Sequence, residues 1–420
     1  MDILYKDIYN HIFSFLSHRE LINLMSVSKS FYNFIDNLNL PNVDFYTACE
    51  KGYYLNIRKL GLKNQNLNKA LYFASIGGQW PIINLLISNG ANNWDSGFRG
   101  ACEGGQQHIV DFMHQNIVND YNKTIEKIGQ SYLFEDIKSV DILIAENLDI
   151  WNWGLFHACK GGHKNLIEYL ISNGANDLDW GVAGACESGN LDIVKFMVDK
   201  GAKVRDYGFY FACKNGHKNV IDYIIKNCKY NSDYGLEGAC RGGHKEIIEL
   251  MISLGAKKWD RGLISACRSG NKEIVELMVA KGAQCWNWAL NSACENGNKE
   301  IIEYLISKGA NHWNSGLIGA CVGEHKEIIE YMISKGANCW NQALNVACIV
   351  GNRNMVDYFV KKGANDFNLG LIAVCRNGHK DIAEYMVKKG ATNLKDGIVI
   401  AYEKGYKDIV ELLIKLSNVE

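Results

Sequence analysis

One cysteine returns every 27 residues: Cys159, Cys186, Cys213, Cys240, Cys267, Cys294, Cys321, Cys348 and Cys375. Around each lies a near-copy of one stretch, written GLEGACRGGHKEIIELMISLGA at 235–256. A fixed period of about 20–50 residues constrains a fold more than composition does. Each copy is one small unit that cannot bury its apolar flank alone, so the copies must stack into a solenoid. Counting from that cysteine as position zero, earlier anchors are Cys49, Ser75, Cys102 and Tyr132, and the last is Tyr402. About fourteen copies are therefore expected over 41–420. Cys102 and Tyr132 are 30 residues apart, so the copy at 120–146 is expected to be irregular, with three residues inserted near 119–123. A terminal cap is expected at about 396–420, where Lys415, Ser417 and Asn418 are polar.

Within a copy the pattern predicts two helices joined by a glycine turn. Position −7 is Asp or Asn in most copies (Asp95, Asn152, Asp179, Asp260, Asn341), and we read it as the N-cap of the first helix. Positions −4, −1 and 0, such as Leu236, Ala239 and Cys240, form its buried stripe. Position +3 is glycine in Gly162, Gly189, Gly243 and Gly378, where a left-handed residue ends the helix without a Cβ clash. Glu135 and Glu324 break that rule, so strained or altered turns are expected there. The second helix, as at 244–254, is apolar around most of its circumference and should be packed on several sides. A Gly-Ala pair closes most copies, as in Gly255-Ala256.

The motif at 239–256 resembles the ankyrin repeat, and the resemblance runs over about 42–420. The usual ankyrin period is about 33 residues. Here six are missing between the Gly-Ala pair and the next first helix, and Tyr234-Gly235-Leu236-Glu237 stands where the family has Thr-Pro-Leu-His. The resemblance thus implies an all-α solenoid with little or no β-hairpin. The 27-residue form, with its Trp-Asn-x-Gly loops, looks like ankyrin-repeat proteins of giant amoeba-infecting viruses.

Residues 1–40 stand outside the period. Leu4, Ile8, Ile12 and Phe15 mark one helix face, Leu21, Leu24 and Val27 a second, and Phe31, Phe34 and Ile35 a third; Pro41 ends the module. Three such helices bury little area alone and need a partner surface. The run Leu4-Tyr5, Asp7-Ile8, Ile12-Phe13-Ser14-Phe15-Leu16, Glu20-Leu21, Leu24, Val27-Ser28-Lys29 and Phe31 resembles an F-box, with Tyr5 where the family has proline. The resemblance implies docking of a Skp-family adaptor through Leu4, Tyr5, Ile8, Ile12, Phe15, Leu16, Leu21, Leu24 and Val27. The alternative is a helical cap that shields the first copy.

The remaining composition mostly excludes. Lys and Arg total 45 against 46 Asp and Glu, a net charge of −1, which gives no basic nucleic-acid surface. No apolar run approaches the roughly 18 residues of a membrane span, and the N-terminus is unlike a secretory signal. An intracellular, cytoplasmic protein is expected, in a host cytoplasm on the viral resemblance. Equivalent cysteines of stacked copies should sit about 8–10 Å apart, too far for a disulfide, so they read as small buried hydrophobes. His163, His217, His244, His325 and His379 recur at +4, but Asn190, Asn271, Asn298 and Asn352 replace them, which suits a hydrogen-bonding role and not a metal site. Trp94, Trp151, Trp259, Trp286, Trp313 and Trp340 read as packing between copies. There is no phosphate-cradling GxxxxGK[ST] loop and no nucleophile set that occurs once, so no catalytic residue, cofactor or metal is expected, and the chain should not be an enzyme.

Function should instead lie where residues vary inside the fixed frame. Positions −6, −3 and +1 share the helix face opposite the buried stripe. They hold Trp153, Phe156, Lys160, Trp180, Glu187, Tyr207, Tyr210, Lys214 and Tyr234, then Glu237, Arg241, Arg261, Arg268, Trp288 and Glu295. Aromatics and arginines anchor interfaces, so this strip is read as a target-binding surface, blander outside 150–295 at Ser315, Gln342 and Leu369. The expected function is a monomeric protein-interaction module: the array recruits a protein target, and the F-box-like segment links it to a cullin ubiquitin ligase. The alternative is a scaffold or decoy that sequesters a host protein.

Overall fold

The computed structural model describes residues 42–63, 65–130, 150–404 and 406–417. The adaptor-docking residues Leu4 to Val27 and the turn at Glu135 lie outside the described residues. Among those described, regular structure is helical throughout, with no strand. Helix pairs repeat from Phe45–Lys51 with Tyr54–Leu60 to Leu394–Glu403 with Lys407–Ser417. The chain forms two compact units, one through Tyr234 and one from Gly235. In each, successive leading helices pack side by side and trailing helices cover their own leading helices, as Trp259–Ser269 and Trp286–Asn296 do with Lys272–Ala280 and Lys299–Ser307.

The repeating cysteine sits in the seam of that packing. Cys159, Cys186, Cys213, Cys240, Cys267, Cys294, Cys321, Cys348 and Cys375 are fully buried and unbridged. Burial pushes the thiols of Cys213, Cys240, Cys294 and Cys348 up to about 12, so at neutral pH they are protonated, inert packing groups. Position −5 is buried beside them and is usually glycine. A Cβ on Gly262, Gly316 or Gly370 would meet a methionine sulfur of its own trailing helix at 2.6–2.8 Å and the preceding copy's cysteine sulfur at 3.3 Å.

The turn glycines behave as expected, with φ of +85° at Gly162, +75° at Gly189, +81° at Gly243 and +81° at Gly378. Glu324 takes the same left-handed conformation at φ +57°, the one non-glycine described residue to do so. Its carboxylate accepts a hydrogen bond from Asn352 Nδ2 at 2.5 Å, which offsets part of the strain.

Position −7 departs from expectation. The N-cap is two residues earlier, at −9: Asn93, Asp177 and Asp366 accept from the amides of Ser96, Trp180 and Leu369. The −7 side chain lies in the first turn and reaches the next copy's loop. Asp260 accepts from Gln284 N and Cys285 N at 2.7 and 3.1 Å, and Asn341 from Asn365 N and Asp366 N at 2.7 and 3.1 Å. Asn152, Asn287 and Asn368 repeat the pattern 24 and 25 residues ahead. It is a staple between copies, which satisfies backbone amides of the next copy's loop.

The irregular stretch also differs. The trailing helix after Trp94–Glu103 runs on as Gln107–Gln130, and the next described helix, 150–161, packs directly on Trp94–Glu103. A Cβ on Gly154 would meet Cys102 Sγ at 3.2 Å, the spacing found between adjacent copies elsewhere. Residues 120–130 prolong a helix, and 131–149 lie outside the described residues.

Candidate protein-binding face

The −6, −3 and +1 positions lie on the solvent side of the leading helices, because −5, −4, −1 and 0 face the packed seam. In the first unit Trp153 and Tyr207 are exposed, the latter by 62 %. Trp180, Tyr210, Tyr234, Lys160, Glu187 and Lys214 are half-buried. Phe156, expected on the strip, is buried: the Trp180 ring stacks on it with centroids 4.7 Å apart. It supports the face rather than presenting a contact. Trp153 stands edge-on to Trp180 at 5.4 Å and Trp180 edge-on to Tyr207 at 6.4 Å, so the aromatics of three successive copies form one connected group. Arg99 lies over the Trp153 ring, 4.5 Å from its centroid, and is held there by Asp95 at 2.6 Å.

Beside this group sits a polar cluster that the 27-residue reading missed. Glu103 receives the Tyr72 hydroxyl at 2.5 Å, His157 Nδ1 at 2.9 Å and Lys160 Nζ at 3.1 Å. Burial alone would raise this carboxyl, but the hydrogen bonds from His157 and Tyr72 and the charge of Lys160 outweigh it and hold it at about 2. A carboxylate only accepts, so the His157 proton is on Nδ1. The cluster was hidden because Glu103 and His157 are 54 residues apart in sequence but adjacent once the irregular stretch is passed over.

In the second unit Arg261, Arg268 and Trp288 are exposed, with Trp288 at 71 %, and Glu237, Arg241 and Glu295 are half-buried. Arg261 faces Glu237 and Arg268 faces Glu295, each at 3.7 Å. Burial raises the Glu237 carboxyl, and the two arginines partly counter it. Past 295 the face is not bland. Val322, Ile349, Leu369 and Val399 are exposed, and all stand at −6, −3 or +1. Elsewhere on the described chain, exposed large apolar side chains are few: Leu60, Tyr402 and Ile414.

The other recurrent residues serve the frame. His217, His325 and His379 donate from Nε2 to the +1 carbonyl of the preceding copy, at 2.9, 3.1 and 3.1 Å. The asparagines that replace histidine cap their own trailing helix, as Asn298 does for Ile301 N at 3.1 Å. Trp151 packs edge-on against Phe98 at 5.7 Å, and Trp340 stacks near Phe359 at 6.5 Å. Among the described residues no group of His, Cys, Asp or Glu could hold a metal ion, and no helix is long and apolar enough to cross a membrane.

This geometry, helix pairs closed by a left-handed glycine and stacked through a small-residue seam, agrees with the family comparison. Residues 182–261, 236–316 and 290–369 each match the family model described as ankyrin repeats in three copies. Residues 2–42 match the F-box domain. The chain carries ankyrin repeats and an F-box domain. Helix pairs outside 182–369 continue the pattern in structure, with buried Cys49, Cys102, Cys159 and Cys375 each followed by a left-handed turn glycine, Gly52, Gly105, Gly162 and Gly378. Both families are protein-interaction modules. No curated protein matches the chain, so the likeness to viral ankyrin proteins has no relative to support it.

Proposed function

We propose that this protein is a non-enzymatic substrate adaptor. Its ankyrin array holds a protein target, and its F-box domain docks a Skp-family adaptor of a cullin-type ubiquitin ligase inside the cell. The observation that carries the target-holding half is the placement of the exposed large apolar side chains. Trp153, Tyr207, Trp288, Val322, Ile349, Leu369 and Val399 all fall on the −6, −3 and +1 positions. A soluble surface scatters such residues singly unless a partner covers them. The ligase half rests on the F-box match at 2–42. The chain would act as a tether, raising the concentration of its target at the ligase without any chemistry of its own.

The test uses the full-length chain and a purified Skp-family adaptor. Wild-type protein should retain the adaptor in a co-precipitation, and Ile8→Asp with Ile12→Asp should lose it while leaving the melting temperature of the array unchanged. Equal retention by both would remove the ligase half and leave a scaffold.

A further inference from the structure

In the second unit, five consecutive copies each expose a large apolar side chain at −6, −3 or +1. These are Trp288 at 71 %, Val322 at 45 %, Ile349 at 44 %, Leu369 at 44 % and Val399 at 54 % exposed. Their leading helices pack on one another in order, so the five side chains lie on neighbouring rows of one face. The polar positions between them are uncharged: Ser315, Gln342 and Asn345. Charge returns at Glu295 in the first of these copies, at Arg376 in the fourth, and at Asp396 and Glu403 in the fifth. Upstream, by contrast, Arg261 and Arg268 pair with Glu237 and Glu295.

Local folding does not account for these residues. At +1 other copies carry Lys160, Glu187, Lys214, Arg241 or Arg268, which suit an exposed helix position. Val322 and Ile349 replace them with β-branched side chains that lose rotamer freedom in a helix. Their exposure means that packing within the chain returns little for that loss. A charged group of a partner laid on the rows of Val322 and Ile349 would give up water and meet no counter-charge there. An apolar group gains from burial there, and the amides of Gln342 and Asn345 can bond a partner backbone.

We propose that the rows of Val322 and Ile349, with Trp288 and Leu369 to either side, take an apolar, uncharged stretch of a protein partner, laid across successive leading helices. The proposal rests on the reading of the array as a protein-binding surface and names the chemistry that part of it selects. The target is then recognised by a segment without charge.

The experiment uses the full-length chain with no ubiquitin-ligase component present. Three fluorescent peptides of equal length and helix propensity are titrated by anisotropy. One presents an uncharged Leu/Ala/Gln face, and in the others lysine or glutamate interrupts that face. The neutral peptide should bind at least about tenfold more tightly than either charged one. Ile349→Glu and Leu369→Lys should each weaken it by about tenfold or more, and Gln342→Leu should tighten it by about threefold. The gain with Gln342→Leu cannot come from misfolding, so it decides the matter if the charged variants also lower the melting temperature. Equal affinity for all three peptides, or no response to Ile349→Glu and Gln342→Leu, would overturn the proposal. Failure of adaptor docking leaves this assay untouched. A chain that captures a target through Trp153 and Tyr207 but refuses the neutral peptide sinks only this inference.

Discussion

Glu103 shows how one residue can join copies that are far apart in the chain. Its carboxylate collects Tyr72 from the copy before it and His157 and Lys160 from the pair packed after it. With its folded-state value near 2, below the ordinary 4.5, the ionised form is favoured by folding. That contribution, up to about 3 kcal/mol, is fully present above the ordinary carboxylate value and is lost as pH falls through the folded one. Wild-type stability of the first unit should therefore drop between about pH 4.5 and pH 2, and Glu103→Gln should flatten that part of the curve. Denaturant unfolding across this range checks it; parallel curves would mean the carboxyl is not held by these partners. In the sequence, Glu103 reads as one more exposed acid at a variable position. Nothing in a 27-residue frame places His157 beside it, because the anchors Cys102 and Cys159 of the two pairs that pack together are 57 residues apart, not a multiple of the period.

At the scale of the helix pair, position −5 couples to the trailing helix in a way that residue types record but spacing alone does not explain. Glycine stands at −5 opposite methionine in Gly262 with Met278, Gly316 with Met332 and Gly370 with Met386. Ala289 stands at −5 in a copy whose trailing helix buries Leu305 at the equivalent place. The longer methionine reaches into the volume a Cβ would fill. Gly316→Ala should therefore be strained in the wild-type background and relieved by Met332→Leu. A double-mutant cycle should give a coupling of about 1 kcal/mol or more in favour of the pair. Additive effects would show that the two positions do not share the space. The −7 staples belong to the same scale. Their Asp and Asn side chains lie in the first turn, where a cap reading is natural, but the amides they satisfy lie 24 residues ahead and become visible only when two copies are laid together.

For the molecule as a whole, each copy touches mainly its neighbours, so damage should spread locally. Gly351 has φ of +76°, and a Cβ there would lie 2.3 Å from His379 of the next copy, whose Nε2 bonds the Ile349 carbonyl. Gly351→Val should cost roughly 2–4 kcal/mol through forced backbone strain and a displaced hydrogen bond. Hydrogen-exchange protection should fall most in Trp340–Val350, Arg353–Lys361 and Phe367–Asn377, and least in Lys245–Ser253 of the same unit. Uniform loss would contradict modular stacking.

The helix pair, the buried cysteine, the left-handed glycine and the all-helical array could be read from the chain itself, because each depends on the period, on local backbone geometry and on side-chain size. The candidate face was legible as a set of positions, since which side of a helix points outward follows from 3.6-residue periodicity. What only the stacked structure decided is which of those positions are open. Phe156 is covered by Trp180, whereas Val322 and Ile349 are bare. Burial and pairing between copies depend on distances through space across an interval that the linear repeat does not measure.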